Sequence, residues 1–171
     1  DDSEGNEYIV ARSGVWNSTA GYGRPELADA AAAQMRQMGF VSGYAVSSNP
    51  RAIELSERLA HLTYPSINHF YLTSGGGEAT DSNIKLARYY WKLKGKPDKT
   101  KVISRIWGYH GVTLAAMCAT GIPAYWPMFE PRIPGFSHIP SPYPYLYEAP
   151  EGSRSQGIAA ADELEKQILE E

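Results

Sequence analysis

A triplet of glycines at residues 75–77 constrains the fold of this chain more than any other feature. The triplet follows a short aromatic stretch at residues 69–73, which is typical of a buried strand. A helix is predicted to begin at about Glu78 and to end before Gly95, and residues 101–107 predict the next strand. Strand, glycine turn, helix and strand in this order favour two parallel strands joined by a right-handed crossover. We therefore expect an α/β fold.

Further helices are predicted outside this unit, where apolar residues recur at helical spacing and Pro, Asn or Gly marks an end. They cover residues 25–38, 50–62, about 112–119 and 158–171. Residues 123–150 hold eight of the twelve prolines. We expect this proline-rich stretch to be largely irregular and to lie over the protein surface, because a free linker seldom carries so many aromatic rings.

Composition excludes several classes of protein. The 171 residues are 43% hydrophobic, and 16 basic against 19 acidic residues leave a formal charge of -3, which argues against nucleic acid as a partner. No apolar run approaches the ~20 residues that a membrane-spanning helix needs, so no membrane association is expected. The acidic opening is unlike a signal peptide, and the single cysteine, Cys118, is predicted to be a buried thiol. We therefore expect a cytoplasmic protein.

The glycine turn predicts an anion site. Three residues without Cβ atoms place backbone N–H groups at the positive end of a helix, which suits a phosphate, although a tight structural turn remains an alternative. Tyr109, at the carboxyl end of the second predicted strand, would lie beside this turn and could cover a flat ring. Phosphate and ring together describe a phosphorylated heterocycle, and pyridoxal phosphate is the commonest candidate.

Other reactive side chains are given a structural interpretation. Glu78 and Asp81 lie three residues apart and could form an acid/base pair, but we interpret them as helix-start residues that complement the helix dipole. The four histidines share no ligand spacing with one another or with Cys118, so no metal site is expected.

Six motifs occur along the chain in a specific order: SGVWN from residue 13, GYGR from 21, TSGGGEATD from 73, KLARYYW from 85, GKP from 95 and GYHGVT from 108. In this order they resemble the class III pyridoxal-phosphate-dependent aminotransferases, particularly the ω-amino acid:pyruvate group, over nearly the whole chain. The resemblance implies the large-domain architecture of fold type I, aspartate aminotransferase-like, of which we expect only the N-terminal portion here. Residues 1–62 would form an N-terminal segment with two helices, and residues 63–171 the first, incomplete portion of the cofactor-binding domain.

The resemblance also implies how pyridoxal phosphate would be held. The family's phosphate turn usually reads S-G-S-E-A-N-D, so Gly75, Gly76 and Gly77 stand at its S-G-S positions and two serine hydroxyls are missing. Contacts to the phosphate would come from the backbone, without the serine side-chain hydrogen bond that is worth ~1 to 3 kcal/mol when charge-assisted. Tyr109 would stack on the pyridine ring, and His110 would fix the turn that carries it.

The implied reaction moves an amino group from an amine or ω-amino acid donor to a keto acid acceptor such as pyruvate, in an enzyme that is a homodimer. Trp16 and Tyr44 match aromatic positions that line the family's substrate pocket, with core packing as an equal alternative. Two other functions stay open. One is an aminomutase or racemase that uses the same cofactor site, and the other is a noncatalytic phosphate-binding or assembly domain.

The chain lacks a lysine at the position that the family uses for catalysis. Aminotransfer requires a lysine that forms a Schiff base with the cofactor and an acidic residue that keeps the pyridine nitrogen protonated. In the family both come later in a much longer chain, and none of the seven lysines here matches the catalytic one. We therefore expect no catalytic residue in this chain and no activity from it alone.

Overall fold

The computed structural model describes residues 2–44, 47–153 and 155–171. The chain divides into two compact units, of which the first ends at Phe70 and the second begins at Tyr71. Each unit is described by itself below. The predicted division after residue 62 stays a prediction.

The first unit is helical. Its elements are α1 (Ser13–Trp16), α2 (Pro25–Met38) and α3 (Pro50–Leu62). The two helices predicted here, α2 and α3, are both present, and each begins with a proline. In addition, the Asn49 side chain caps α3 by accepting a hydrogen bond from the Ala52 N–H at 2.9 Å. The single turn α1 was not predicted. Its backbone is left-handed from Ser13 to Trp16, where φ reaches +66°, and only Gly14 in the sequence favours that conformation.

The second unit alternates helices and strands. Its elements are α4 (Gly76–Leu93), β1 (Val102–Arg105), α5 (Leu114–Ala119), a 3-10 helix (Pro123–Met128), β2 (Phe136–Ile139) and α6 (Gln156–Glu170). No helix among the described residues has both the length and the apolar character needed to cross a membrane.

The two strands form a parallel pair. Val102 lies opposite Phe136 and Arg105 lies opposite Ile139, and a further bridge joins Ile106 to Gly121 beyond the end of β1. Helix α5 packs on both strands and α6 packs on β2. The buried core lies where these elements meet, with its members on α5, β2 and α6: Ala116, Met117, Cys118, Ala119, Ile139, Ala159 and Ala160. The predicted burial of the single cysteine is confirmed.

One strand prediction was wrong, and one strand was not predicted. Residues 69–73 form no strand and make no backbone hydrogen bond with any described residue, and a strand exists only through a hydrogen-bonded partner. The proline-rich stretch is largely irregular, as expected, but it also contains β2. Pro134 and Pro140 lie just outside that strand, so they remove no N–H from its ladder. The observed parallel pair therefore joins β1 to a later strand, and the connection between them runs through α5 and the 3-10 helix.

Candidate functional site

The predicted phosphate turn forms the N-terminus of α4. Gly75 is the N-cap, and Gly76 and Gly77 are the first two helical residues, so their N–H groups precede the first intrahelical hydrogen bonds. Neither N–H donates to a described residue. A Cβ added at Gly75 or Gly76 would meet no atom within 4 Å, whereas one at Gly77 would lie 3.4 Å from the Thr113 side chain. The start of the helix therefore has unpaired donors and is open at Gly75 and Gly76.

Glu78 is hydrogen-bonded to Ser74, the residue just before the N-cap of α4. Its carboxylate accepts hydrogen bonds from the Ser74 N–H at 2.9 Å and from the Ser74 hydroxyl at 2.7 Å. The hydroxyl bond first, and the backbone bond second, lower the pKa of Glu78 below its usual range. This is the geometry of a helix-start residue, as interpreted from the sequence, and it leaves the carboxylate engaged with the backbone.

Asp81 serves a different helix from the one expected. It lies in the second turn of α4, and its Oδ1 accepts hydrogen bonds from the Thr113 hydroxyl at 2.8 Å and from the Ala116 N–H at 2.9 Å. Ala116 is the third residue of α5, so Asp81 caps the N-terminus of that helix. The interpretation of Asp81 as a complement to its own helix was wrong, because the N–H group it satisfies lies 35 residues further along the chain.

The turn at residues 108–111 follows β1 and carries Tyr109. It is fixed by backbone hydrogen bonds from Trp107 N–H to Gly121 oxygen at 2.7 Å and from Gly121 N–H to Gly108 oxygen at 2.8 Å. The His110 N–H donates to the Thr120 hydroxyl at 3.0 Å. These contacts tie the turn to the end of α5.

Two glycines bring this turn against the start of α4. Gly111 has φ of +137°, and a Cβ there would lie 2.6 Å from Gly77 Cα and 3.0 Å from Ala116 Cβ. Only a residue without a side chain fits such a contact. The structure thus places the turn that carries Tyr109 and His110 directly beside the predicted phosphate turn.

The Tyr109 side chain is 60% exposed and lies at an apolar cavity of about 360 Å³. Met117, Met128 and Phe129 contribute to the walls of the cavity. An exposed aromatic ring beside free helix N–H groups is an arrangement that can hold a flat, phosphorylated molecule. The cofactor-binding roles of Gly75 to Gly77, Tyr109 and His110 stay predictions.

The two predicted substrate residues lie in the first unit. Trp16 ends the left-handed turn α1 and is 82% exposed, and Tyr44 is 97% exposed. The described residues therefore do not bury either ring, and the core-packing alternative finds no support within that unit. Their role in a substrate pocket stays a prediction.

Sequence reasoning missed the threonines that join these elements. The Thr80 hydroxyl donates to the His110 oxygen at 2.9 Å, and the Thr120 hydroxyl accepts from the His110 N–H. Thr113 precedes α5, and this position could have been recognised as a helix cap. The partners of Thr80 and Thr120 lie 30 and 10 residues away, so no local pattern marks them.

His138 lies on β2 and has a structural environment. Its ring packs on Trp126 with centroids 4.9 Å apart, and Arg132 lies 4.4 Å from the centre of the same indole. Burial lowers the pKa of His138. Within residues 2–44, 47–153 and 155–171, no group of three metal-ligating side chains is found.

Fold and site together define an α/β protein in which a helix start with unpaired N–H groups touches the turn that carries an exposed tyrosine. A sequence model of the class-III aminotransferases matches residues 1–171, and the chain belongs to this family. The resemblance drawn from the motifs is confirmed.

The chain spans 37% of the length of two curated relatives that it matches. It is 39% identical over 169 residues to the putrescine–pyruvate aminotransferase of Pseudomonas aeruginosa, covering 99% of this chain and 37% of that protein. It is 34% identical to the β-alanine–pyruvate aminotransferase of the same organism, covering 98% of this chain and 37% of the relative. A solved (S)-enantioselective ω-transaminase from Thermomicrobium roseum is 43% identical, with a TM-score of 0.89 over 99% of this chain and 38% of that one. The expected fold class, that of the fold type I aminotransferases, is thereby confirmed.

Proposed function

We propose that the complete protein is a pyridoxal-phosphate-dependent aminotransferase that moves an amino group from an amine or ω-amino acid to a keto acid such as pyruvate. The contact between Gly77 and Gly111 carries the proposal, because it brings the turn that carries an exposed tyrosine against the helix start with unpaired N–H groups. The relatives that act on putrescine or β-alanine with pyruvate support the donor and acceptor classes.

The residues present fit the cofactor. A phosphate dianion is stabilised by free N–H groups at the positive end of a helix, and α4 offers those of Gly76 and Gly77. The two carboxylates nearest in sequence are already engaged, Glu78 with Ser74 and Asp81 with the start of α5. The open space in front of Gly75 and Gly76 leaves room for phosphate oxygens.

When bound, pyridoxal phosphate supplies a reactive carbonyl and an electron sink for amino-group transfer. The chain's own residues bind and orient it. Gly76 and Gly77 would donate to the phosphate, and Tyr109 would hold the heterocycle through its aromatic ring. The backbone of His110, held from both sides, fixes the position of Tyr109. We propose that Trp16 and Tyr44 line the substrate pocket.

We propose further that the lysine that attaches the cofactor is not among the seven of this chain. Lys99 lies 3.7 Å from the centre of the Trp91 ring, and Lys96 lies 5.4 Å from it, both at the C-terminal end of α4. Helix α4 has 18 residues, which corresponds to ~27 Å, and the glycine turn lies at its other end. On this proposal the chain by itself transfers no amino group.

Borohydride reduction tests this assignment. The complete protein and the 171-residue chain are each mixed with pyridoxal phosphate, reduced, digested and mapped by mass spectrometry. We expect one stoichiometric label in the complete protein, at a lysine outside this chain, and only scattered trace labelling of the chain alone. A single stoichiometric site on one of the seven lysines would refute the assignment.

A coupled assay tests the reaction. The complete protein, supplied with putrescine or β-alanine and pyruvate, should form alanine, and omission of pyruvate should abolish turnover of the donor. Conversion of an amino acid without any keto acid would instead identify an aminomutase or racemase. Phosphate binding without a labelled lysine or any turnover would identify a noncatalytic domain.

We also propose that the complete enzyme is a cytoplasmic homodimer. Large apolar side chains of the proline-rich stretch are exposed in the described structure, among them Phe129, Tyr145 and Leu146, and a partner subunit would cover such a surface. Sedimentation velocity should give twice the mass of one chain, and a monomer at working concentration would contradict this proposal. The cytoplasmic location is supported by the single, buried Cys118.

A further inference from the structure

The peptide groups around His110 are held from two sides. On one side, the Thr120 hydroxyl accepts from the His110 N–H at 3.0 Å and itself donates to the Ala116 oxygen at 2.9 Å. On the other side, the Thr80 hydroxyl donates to the His110 oxygen at 2.9 Å. The His110 N–H belongs to the same peptide plane as the Tyr109 carbonyl, so the Thr120 bond fixes the backbone beside Tyr109, and the Thr80 bond fixes the next peptide plane, between His110 and Gly111.

The two attachments differ in what they join. Thr120 is buried at the C-terminal end of α5, so its bond with His110 joins the turn to α5. Thr80 lies on α4, one turn beyond the glycines. Its hydroxyl is therefore the side-chain hydrogen bond that runs directly from the helix with the free N–H groups to the turn that carries the aromatic ring.

Packing alone does not fix the turn in this direction. Gly111 touches Gly77 through backbone atoms and without any side chain, and the nearest other tie is Thr113, beyond the turn, whose hydroxyl donates to the Gly77 oxygen at 3.3 Å. A directional hydrogen bond resists sliding where two flat backbones meet, and Thr80 provides it close to the contact.

We propose that Thr80 is a positioning residue that sets the distance between the phosphate-binding end of α4 and the Tyr109 ring. Its hydroxyl holds the turn at residues 108–111 so that the ring is preorganised over the heterocycle when the phosphate is bound. Thr80 touches neither cofactor nor substrate in this role, and it acts through the His110 backbone. The proposal rests on the proposed function for its consequence in cofactor binding.

Three variants of the complete protein test it. Thr80→Val keeps the shape of the side chain and removes the hydroxyl, whereas Thr80→Ser keeps the hydroxyl. Ser104→Ala is the matched control, because the Ser104 hydroxyl donates to the Ala119 oxygen at 2.6 Å within the same unit and does not contact the turn. The control also loses a hydrogen bond from a side-chain hydroxyl to a backbone oxygen. It therefore shows how a loss of folding stability alone affects cofactor binding.

Cofactor titration and circular dichroism in the cofactor absorption band provide the first readout. For Thr80→Val we expect a threefold to tenfold weaker affinity for pyridoxal phosphate, about the value of one hydrogen bond, and an altered dichroism of the bound cofactor. Thr80→Ser should bind within about twofold of the wild type. Ser104→Ala should melt at a lower temperature with unchanged affinity and dichroism. A Thr80→Val protein that melts lower but binds with wild-type affinity and dichroism overturns the proposal, as does failure of Thr80→Ser to restore them.

Hydrogen exchange without cofactor provides the second readout. In Thr80→Val, the amides of residues 109–111 should exchange about threefold to tenfold faster, while Ser104→Ala leaves them unchanged. If the wild type binds no pyridoxal phosphate, the proposed function fails, and the exchange comparison alone decides the role of Thr80. Equal exchange at these amides in Thr80→Val and wild type then overturns the positioning role.

Discussion

Replacing Gly77 with aspartate tests the phosphate site by charge. A Cβ at Gly77 would lie 3.4 Å from the Thr113 side chain and 3.5 Å from the Val112 nitrogen, which are ordinary van der Waals distances. The Cβ is therefore accommodated, and the complement of a negative charge in the first turn to the helix dipole offsets repulsion from Asp81, four residues further along α4. We expect the melting temperature to change little, so the effect of the substitution should appear in cofactor binding.

The size of the effect follows from Coulomb's law. A carboxylate ~4 Å from one phosphate charge costs about 4 kcal/mol at an effective dielectric of 20. At ~1.4 kcal/mol per tenfold, the affinity of the complete protein for pyridoxal phosphate should fall by roughly two to three orders of magnitude. Salt should reduce the loss only in part, because the two charges lie closer together than the screening length of ~10 Å at 0.1 M.

Gly77→Asn is the matched control, since it has nearly the same volume as the aspartate variant and no charge. Titration of pyridoxal phosphate into wild type and both variants, beside their thermal melts, separates charge from size. The asparagine variant should lose much less affinity than the aspartate variant. Equal affinities for all three proteins, with only the melting temperatures lowered, would show that the glycine turn is structural and would remove the main physical support for the phosphate site.

Three further predictions concern the same unit. Gly77→Ser restores a hydroxyl where the family usually has serine, and a charge-assisted hydrogen bond worth ~1 to 3 kcal/mol should tighten pyridoxal phosphate binding roughly fivefold to a hundredfold, as measured by titration. Gly111→Ala forces a Cβ to within 2.6 Å of Gly77 Cα at φ of +137°, so the free energy of unfolding in urea should fall by about 2 to 3 kcal/mol, whereas Gly75→Ala, with nothing within 4 Å, should change it little. Burial lowers the pKa of His138, so the unfolded state binds the proton more tightly than the folded state does. The free energy of unfolding should therefore fall as the pH drops below the unfolded pKa of 6.5. His138→Phe, which keeps a ring on Trp126, should flatten this pH dependence.

Local signals predicted the helices well, since the residues that start and stop a helix lie within it or beside it. Pro25 and Asn49 mark the starts of α2 and α3, and Gly95, with φ of +71°, follows the C-cap of α4. Strands depend on partners that lie elsewhere. Residues 69–73 have the composition of a strand without a described partner, and β2 was hidden because the density of prolines was counted rather than their positions.

The sequence predicted individual residues of the candidate site but not the hydrogen bonds that join its elements. The glycine triplet and Tyr109 follow from sequence, because a glycine turn before a helix and an aromatic residue after a strand are local patterns. The contacts of Thr80 with His110 and of Asp81 with Ala116 span 30 and 35 residues. Such contacts arise from how two helices pack, and nothing in the local spacing of apolar or polar residues encodes them.

The cap that Asp81 places on α5 affects how this part of the protein folds and opens. A helix of six residues does not hold together alone in water, since a helix shorter than ~12 residues is marginal even for favourable sequences. Because the Ala116 N–H of α5 is satisfied from α4, helix α5 depends on the start of α4 being in place. Loss of the start of α4 therefore releases α5, together with the turn between β1 and α5. The free N–H groups and the aromatic ring belong to one cooperative unit, so the site is either assembled as a whole or absent.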